Sequence, residues 1–221
     1  MNVAVYSGSF NPLHIGHLAI MKYLVGEGGF DCVYLVVSPK NPLKDGISSE
    51  SGLDRYEAAV QAVKRHFPEP LPAGDISSPP VFPAVRHPLA VGGMSTSYLP
   101  ADNGGTVKVD DIELTMPEPH YTIRTLDALR EREPENMFTL VMGADNLADI
   151  RRWRDYRRIL CEYGVAVYPR EGFDLDAIRK DLLNENPSYG IAILKAKMVN
   201  ISSTIIRNGI AAGKDMSEWL M

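Results

Sequence analysis

The chain of 221 residues is 45% hydrophobic and 23% charged, which suffices for one large α/β core or for one core with an insertion. Its formal net charge of −5 at pH 7 argues against a nucleic-acid binder that works through an overall basic field, while leaving room for an anionic small ligand in a local basic pocket. The two cysteines, Cys32 and Cys161, both sit in apolar, strand-like runs and read as buried free thiols, with no disulfide framework and no cluster for a structural zinc.

In chain order, NVAVY (2–6) is a short apolar run with β-branched residues and predicts a strand. The first ten residues have no basic segment leading into a long apolar stretch, so no signal peptide is expected. A helix follows over about 16–25, with Leu18, Met21, Leu24 and Val25 at helical spacing, and GEGG (26–29) ends it. CVYLVV (32–37) predicts a second buried strand, SPKNPLKDG (38–46) a long polar loop, and 53–67 a helix with Leu53, Tyr56, Val60 and Val63 on one face. Residues 68–106 hold eight of the 16 prolines and five glycines but only four charged residues. They read as an irregular insertion, either a surface loop or a lid or oligomer contact. VKVDDIEL (107–114) predicts a strand, and about 123–131 a helix with Thr122 as N-cap. MFTLVM (137–142) is a strand, and GADN (143–146) a turn into a helix. GVAVY (164–168) and IAILK (191–195) are strands on either side of a helix at 173–183, and a last helix opens near Ser203. No run approaches ~20 apolar residues, so no membrane span is expected, and the chain reads as cytoplasmic.

Alternation of apolar strands with helices implies a doubly wound, Rossmann-like α/β fold: one parallel sheet covered on both faces, in a single domain over 1–221 with the Pro/Gly-rich insertion at about 68–106. Such folds bind ligands at the carboxyl ends of the strands, near the switch in strand order. The motifs fall at that rim. In YSGSFNPLHIGHLAI (6–20), Gly8 allows a sharp exit from the first strand, Ser9 and Phe10 offer backbone N–H groups, and Asn11-Pro12 sets a turn. His14 and His17, three apart, share one side of a helix start, where partial positive charge and free N–H donors favour an anion such as phosphate. The stretch is neither a GxGxxG loop nor a Walker A motif. In ISSTIIRNG (201–209) a helix cap explains one hydroxyl. It does not explain three in a row with Arg207 one turn on, a set that suits a polyphosphate cradle to which Lys197 can add charge.

GSFNPLHIGH near the start and ISSTIIR near the end resemble the HIGH-type nucleotidylyltransferase superfamily. SPKNPLK, HYTIRTL, GADN, RRWRDY and VYPREG, in that order between them, resemble its nicotinate-nucleotide adenylyltransferase branch. The resemblance covers the chain outside 68–106. It implies transfer of AMP from ATP to nicotinate mononucleotide, with release of pyrophosphate and formation of the dinucleotide precursor of NAD. The acceptor's own phosphate is the nucleophile, so no covalent enzyme intermediate is implied, and catalysis is positioning plus charge stabilisation.

By the same resemblance Gly8, Ser9, Phe10, His14, His17, Gly143, Asp145, Ile201, Ser202, Ser203, Thr204 and Arg207 form the ATP side. Mg²⁺ would arrive on the phosphates with few or no protein ligands. The acceptor side falls on Asn11, Lys44, Tyr121, Thr122, Trp153 and Arg170, with Thr122 reading the pyridine carboxylate and Trp153 stacking on the ring. His14, His17, Lys44 and Arg207 carry the catalytic roles. Thr122 and Asp145 serve equally as plain helix caps, and Trp153 equally as part of a solvated basic helix face with Arg151, Arg152, Arg154, Arg157 and Arg158. Two departures bear on the acceptor pocket: Leu43 stands where many relatives have His, and His120 where Ser or Pro is common. The partners implied are the two nucleotides, without nucleic acid or membrane, and a homo-oligomer is left open. The alternatives are an adenylyltransferase for nicotinamide mononucleotide or phosphopantetheine, and a nucleotide-binding module without turnover.

Overall fold

Six strands form one parallel sheet, with β1 (Asn2–Gly8) near its centre. The computed structural model describes residues 1–39, 51–67, 105–197 and 199–221. The other strands are β2 (Cys32–Val37), β3 (Thr106–Asp110), β4 (Met137–Gly143), β5 (Val165–Tyr168) and β6 (Ile191–Ile193), in the order β3-β2-β1-β4-β5-β6. β1 pairs with β2 on one side (Val3 opposite Cys32) and with β4 on the other (Val3 opposite Phe138). The order therefore reverses between β1 and β4.

The helices are α1 (Ile15–Val25), α2 (Gly52–His66), α3 (Ile112–Thr115), α4 (Thr122–Arg132), α5 (Ala144–Ala148), α6 (Tyr156–Arg158), α7 (Leu175–Glu185) and α8 (Ser203–Ala211). Successive strand side chains point to opposite faces, and both faces are covered. Val3, Val5, Tyr34, Val36 and Leu140 pack under Leu126 and Leu129 of α4 and Leu182 of α7. Ala4, Tyr6, Val33 and Leu35 pack under Met21 and Leu24 of α1 and Ala59 and Val63 of α2. This is the expected doubly wound sheet. Among the described residues no helix is long and apolar enough to cross a membrane.

Several local expectations are corrected. The strand predicted over 107–114 ends at Asp110, whose Oδ1 accepts from the Ile112 amide at 3.0 Å and turns the chain into α3. Ile112 and Leu114 mimic strand alternation but belong to that short helix. The last strand stops at Ile193. Thr122 is the first residue of α4 rather than its cap; Tyr121 holds the cap position, and no side chain caps that end. Cys32 is buried as expected, whereas Cys161 is exposed, in a π-helical turn (Ile159–Tyr163) instead of a strand. The loop around Lys44 and nearly all of the predicted insertion lie outside the described residues.

The buried face of α2 is also rotated from the expected one. Leu53 is 57% exposed and Arg55 only 3%. The Arg55 guanidinium donates to the carbonyls of Ser9 (2.5 Å), Ser38 (2.8 Å) and Pro39 (2.8 Å), tying the loop after β1 to the loop after β2. Arg55→Ala is expected to leave these part-buried carbonyls without their donor and to lower stability by about 3 kcal/mol. A urea midpoint equal to that of the unaltered protein contradicts this bracing role.

Candidate active site

A cavity of about 520 Å³ opens at the carboxyl ends of β1 and β4, where the strand order reverses. Residues 6–10 and 140–142 give it a floor from these two strands and the loop after β1. The start of α1, the start of α4, the segment after α5 and the first turns of α8 give it walls.

At the end of β1 the chain turns sharply. Phe10 takes a left-handed conformation (φ 44°), and its ring meets Tyr6 and His17 edge-on at centroid distances of 5.4 and 5.2 Å. Helix α1 then opens with an unusual cap built from two histidines. The Gly16 amide donates to His14 Nδ1 (3.1 Å), and the His14 amide donates to His17 Nδ1 (3.2 Å). This is a capping box in which imidazoles replace the hydroxyl and the carboxylate. A Cβ at Gly16 would lie 3.0 Å from the His14 ring and 3.1 Å from Ile201, so glycine there lets both approach.

The capping bonds fix the chemistry of the rings. Each Nδ1 accepts a backbone proton, so in the neutral form each ring carries its own proton on Nε2. Burial, then the Arg170 charge, lowers His14 to about 4. Burial, followed by His14 and Arg170, holds His17 well below the usual histidine range. The rings stack at 3.7 Å and line the cavity, each with an Nε2–H donor to offer.

The carboxyl-terminal motif closes against the same loop. Ser202 caps α8, its Oγ accepting from the Ile205 amide (3.2 Å). Ser203 Oγ donates to Pro12 O (3.1 Å). Arg207 donates to Asn11 O (2.6 Å) and to Thr204 Oγ1 (3.1 Å). One hydroxyl is thus a cap, as the sequence suggests, and the other two hold the cradle together. All four side chains line the cavity, and Arg207 keeps N–H groups for an anion.

Tyr121, Thr122, Trp153 and Arg170 line the same cavity. Arg170 lies 3.3 Å from Asp145 Oδ1 and donates to the Tyr168 hydroxyl (3.3 Å). Asp145 does not cap α5, so its carboxylate is given to this pair. Trp153 is half-buried against the core. The arginines around it do not form a free basic face, because Arg151, Arg152, Arg154, Arg157 and Arg158 each stand within 4 Å of a carboxylate.

Of the residues picked out from sequence, Gly8, Ser9, Phe10, His14, His17, Asp145, Tyr121, Thr122, Trp153, Arg170, Ser202, Ser203, Thr204 and Arg207 line this one cavity. Asn11, Gly143 and Ile201 do not line it. Asn11 supplies a backbone acceptor to Arg207, and Ile201 is buried beside Gly16. Lys44 lies outside the described residues. Ser38, Arg152, Arg154 and Tyr168 also line the cavity and were not expected as site residues. Position at a strand's carboxyl end was the available signal for Ser38 and Tyr168. Behind the wall, Glu113 is 2% exposed and accepts from the hydroxyls of Thr125 (2.7 Å), Ser7 (3.5 Å) and Ser38. It braces the ends of β1 and β2 against α4, and nothing in its apparent strand context announced it.

Residues 5–209 match the cytidylyltransferase-like family. A probable nicotinate-nucleotide adenylyltransferase from Flavobacterium johnsoniae is 31% identical over 220 residues, covering 100% of this chain and 92% of that protein. One of the same description from Bacteroides fragilis is 34% identical over 216 residues, covering 98% and 85%. Among solved structures, Plasmodium falciparum nicotinic acid mononucleotide adenylyltransferase complexed with NaAD shares the fold, with a TM-score of 0.66 at 17% identity over 98% of this chain and 87% of that one.

Proposed function

The chain belongs to the cytidylyltransferase-like family and, within it, to the nicotinate-nucleotide adenylyltransferases, and from that premise we propose how its cavity joins ATP to nicotinate mononucleotide. The enzyme transfers AMP to the acceptor in NAD biosynthesis and releases pyrophosphate. A phosphate oxygen of nicotinate mononucleotide attacks the α-phosphorus of ATP in line, and the bond from that phosphorus to the oxygen bridging to the β-phosphate breaks. No covalent enzyme intermediate forms.

The observation that carries this reading is the cradle itself. Two neutral imidazoles with free Nε2–H groups, the start of α8 held to the loop after β1, and Arg207 line one cavity together with Thr122 and Trp153. Neutral donors suit a site that must take up a polyanion and then release two anionic products. As phosphate arrives, its charge favours the protonated rings and opposes the burial that keeps them neutral. His14 and His17 steady the charge that builds at the α-phosphoryl group, and Arg207 with the α8 hydroxyls holds the outer phosphates. Lys44, which follows β2 in sequence, is assigned to the same task. Gly8, Ser9 and Phe10 supply backbone at the phosphates. Mg²⁺ enters as part of the ATP substrate and neutralises phosphate charge; among the described residues no group of three His, Cys, Asp or Glu side chains could cage it. The reading carries a cytoplasmic location with it.

Pyrophosphate release tests the activity, with ATP and Mg²⁺ supplied alongside nicotinate mononucleotide, nicotinamide mononucleotide or phosphopantetheine. Strong preference for the first acceptor is the expected result. Preference for another acceptor keeps the mechanism and overturns the acceptor site; ATP binding without turnover on any leaves a binding module. Thr122→Ala is expected to raise KM for nicotinate mononucleotide about tenfold, the loss of one hydrogen bond to a charged group, with KM for ATP little changed. Equal effects on the two substrates would assign Thr122 a purely structural place in the first turn of α4.

A further inference from the structure

We propose that Glu185, at the carboxyl end of α7, is a positioning residue for the acceptor nucleotide and acts by holding Trp153 in the cavity wall. The proposal rests on the reading of Trp153 as the residue that stacks on the acceptor's ring.

The segment carrying Trp153 has little to hold itself in shape. It runs as a 3₁₀ turn (Ile150–Arg152), Trp153, a left-handed Asp155 (φ 52°), the single turn of α6 and the π turn. Pieces this short contribute little stability of their own, and a left-handed non-glycine residue persists only where its surroundings hold it. Asp181 pairs with Arg151 (2.8 Å) and Asp127 with Arg158 (3.0 Å), but Glu185 is the carboxylate that takes donors from both sides of Trp153. Glu185 accepts from Arg151 Nε (3.0 Å), the Tyr156 hydroxyl (2.7 Å), Arg157 Nε (3.3 Å) and the Tyr189 hydroxyl (3.0 Å). Arg151, Tyr156 and Arg157 bracket Trp153 on both sides in sequence, so the clamp spans the irregular turn.

An acid at a helix carboxyl end is opposed by the helix dipole, so α7 itself gains nothing from it. The Tyr156 hydroxyl and Arg151 hold the Glu185 carboxyl down to about 2, so it stays ionised and accepting at any assay pH near neutrality. On the inner side Trp153 and Tyr156 pack against the core. With the outer carboxylate gone, the packing remains but the turn can shift, and the ring moves away from its partner. A small misplacement of a positioning group is enough to weaken one substrate and spare the other.

Steady-state constants for both substrates, with Tm, test this on Glu185→Ala, Glu185→Gln and Trp153→Ala. Glu185→Ala is expected to raise KM for nicotinate mononucleotide about tenfold and Glu185→Gln by less, with KM for ATP within about twofold. Added to Trp153→Ala, Glu185→Ala produces no further rise, because the two act through one contact. If Trp153→Ala raises the acceptor KM while Glu185→Ala leaves it unchanged, or moves both KM values together, the positioning role is overturned and the Trp153 reading survives. If Trp153→Ala leaves the acceptor KM unchanged, that reading fails and takes the proposal with it. Tyr156→Phe, which removes one hydroxyl donor, stands in should Glu185→Ala fail to fold; the same selective rise of about twofold supports the role, and its absence overturns it.

Discussion

His17→Ala lowers turnover by about 10²–10³-fold while leaving the protein folded. That is the scale of one preorganised donor aimed at charge that develops only in the transition state, roughly 3–4 kcal/mol. The side chain is well placed for such an effect. Its Nδ1 is occupied by the His14 amide, its ring is packed edge-on by Phe10, and burial keeps it neutral. The donor therefore stands oriented before the substrate arrives. The same substitution removes half of the capping box, a structural cost of about 1 kcal/mol. The rate loss and the shift in Tm should accordingly be far out of proportion. Rates within a few-fold of the unaltered enzyme would remove His17 from transition-state stabilisation and leave it a helix cap.

Acidification from pH 7 towards 4.5 destabilises the protein through the same pair of rings. His14 titrates near 4 in the folded chain, against about 6.5 when unfolded. Between these values the unfolded chain binds a proton that the folded chain does not. Stability therefore rises with pH through this window, is complete above the unfolded pKa, and is lost as pH falls towards the folded one. Over the whole window His14 accounts for about 3 kcal/mol, and His17 acts in the same direction. His14→Asn keeps a side chain able to cap α1 but does not titrate. Its urea midpoint should be the flatter of the two between pH 6.5 and 4.5. Parallel slopes would assign the acid sensitivity to other groups.

The middle of the sheet was legible in the sequence because β1, β2, β4 and β5 are buried over most of their length and read as apolar runs: CVYLVV is β2 to the residue. The cluster of Gly8, the two histidines and the α8 hydroxyls, which line one cavity, was legible for a different reason. Its glycines, histidines and hydroxyls are poor core material and cluster at strand ends. What failed were positions where a tertiary partner overrode local pattern. Asp110 ends β3 through its own side chain, and Ile112 and Leu114, which alternate with polar residues but one step out of phase with Val107 and Val109, belong to α3. Arg55 takes a buried position because three carbonyls await it there. Around RRWRDY the sequence shows the near partners Asp149 and Asp155 of Arg152 and Arg154, but not the remote carboxylates Asp181 and Glu185 of Arg151 and Asp127 of Arg158. The histidine cap was hidden too, because imidazole is not a usual capping group.

The bond from Arg207 to the Asn11 carbonyl joins residues 196 positions apart, and the Ser203 bond to Pro12 spans 191. During synthesis the first loop is therefore made long before the helix that completes it. A ribosome-bound chain can lay β2 beside β1 early, but the contacts that join the loop after β1 to α8 form only once that helix has emerged. A ligand that needs both segments rewards only chains that carry α8, and a truncated product lacking that helix gains none of the ligand's protection against proteolysis.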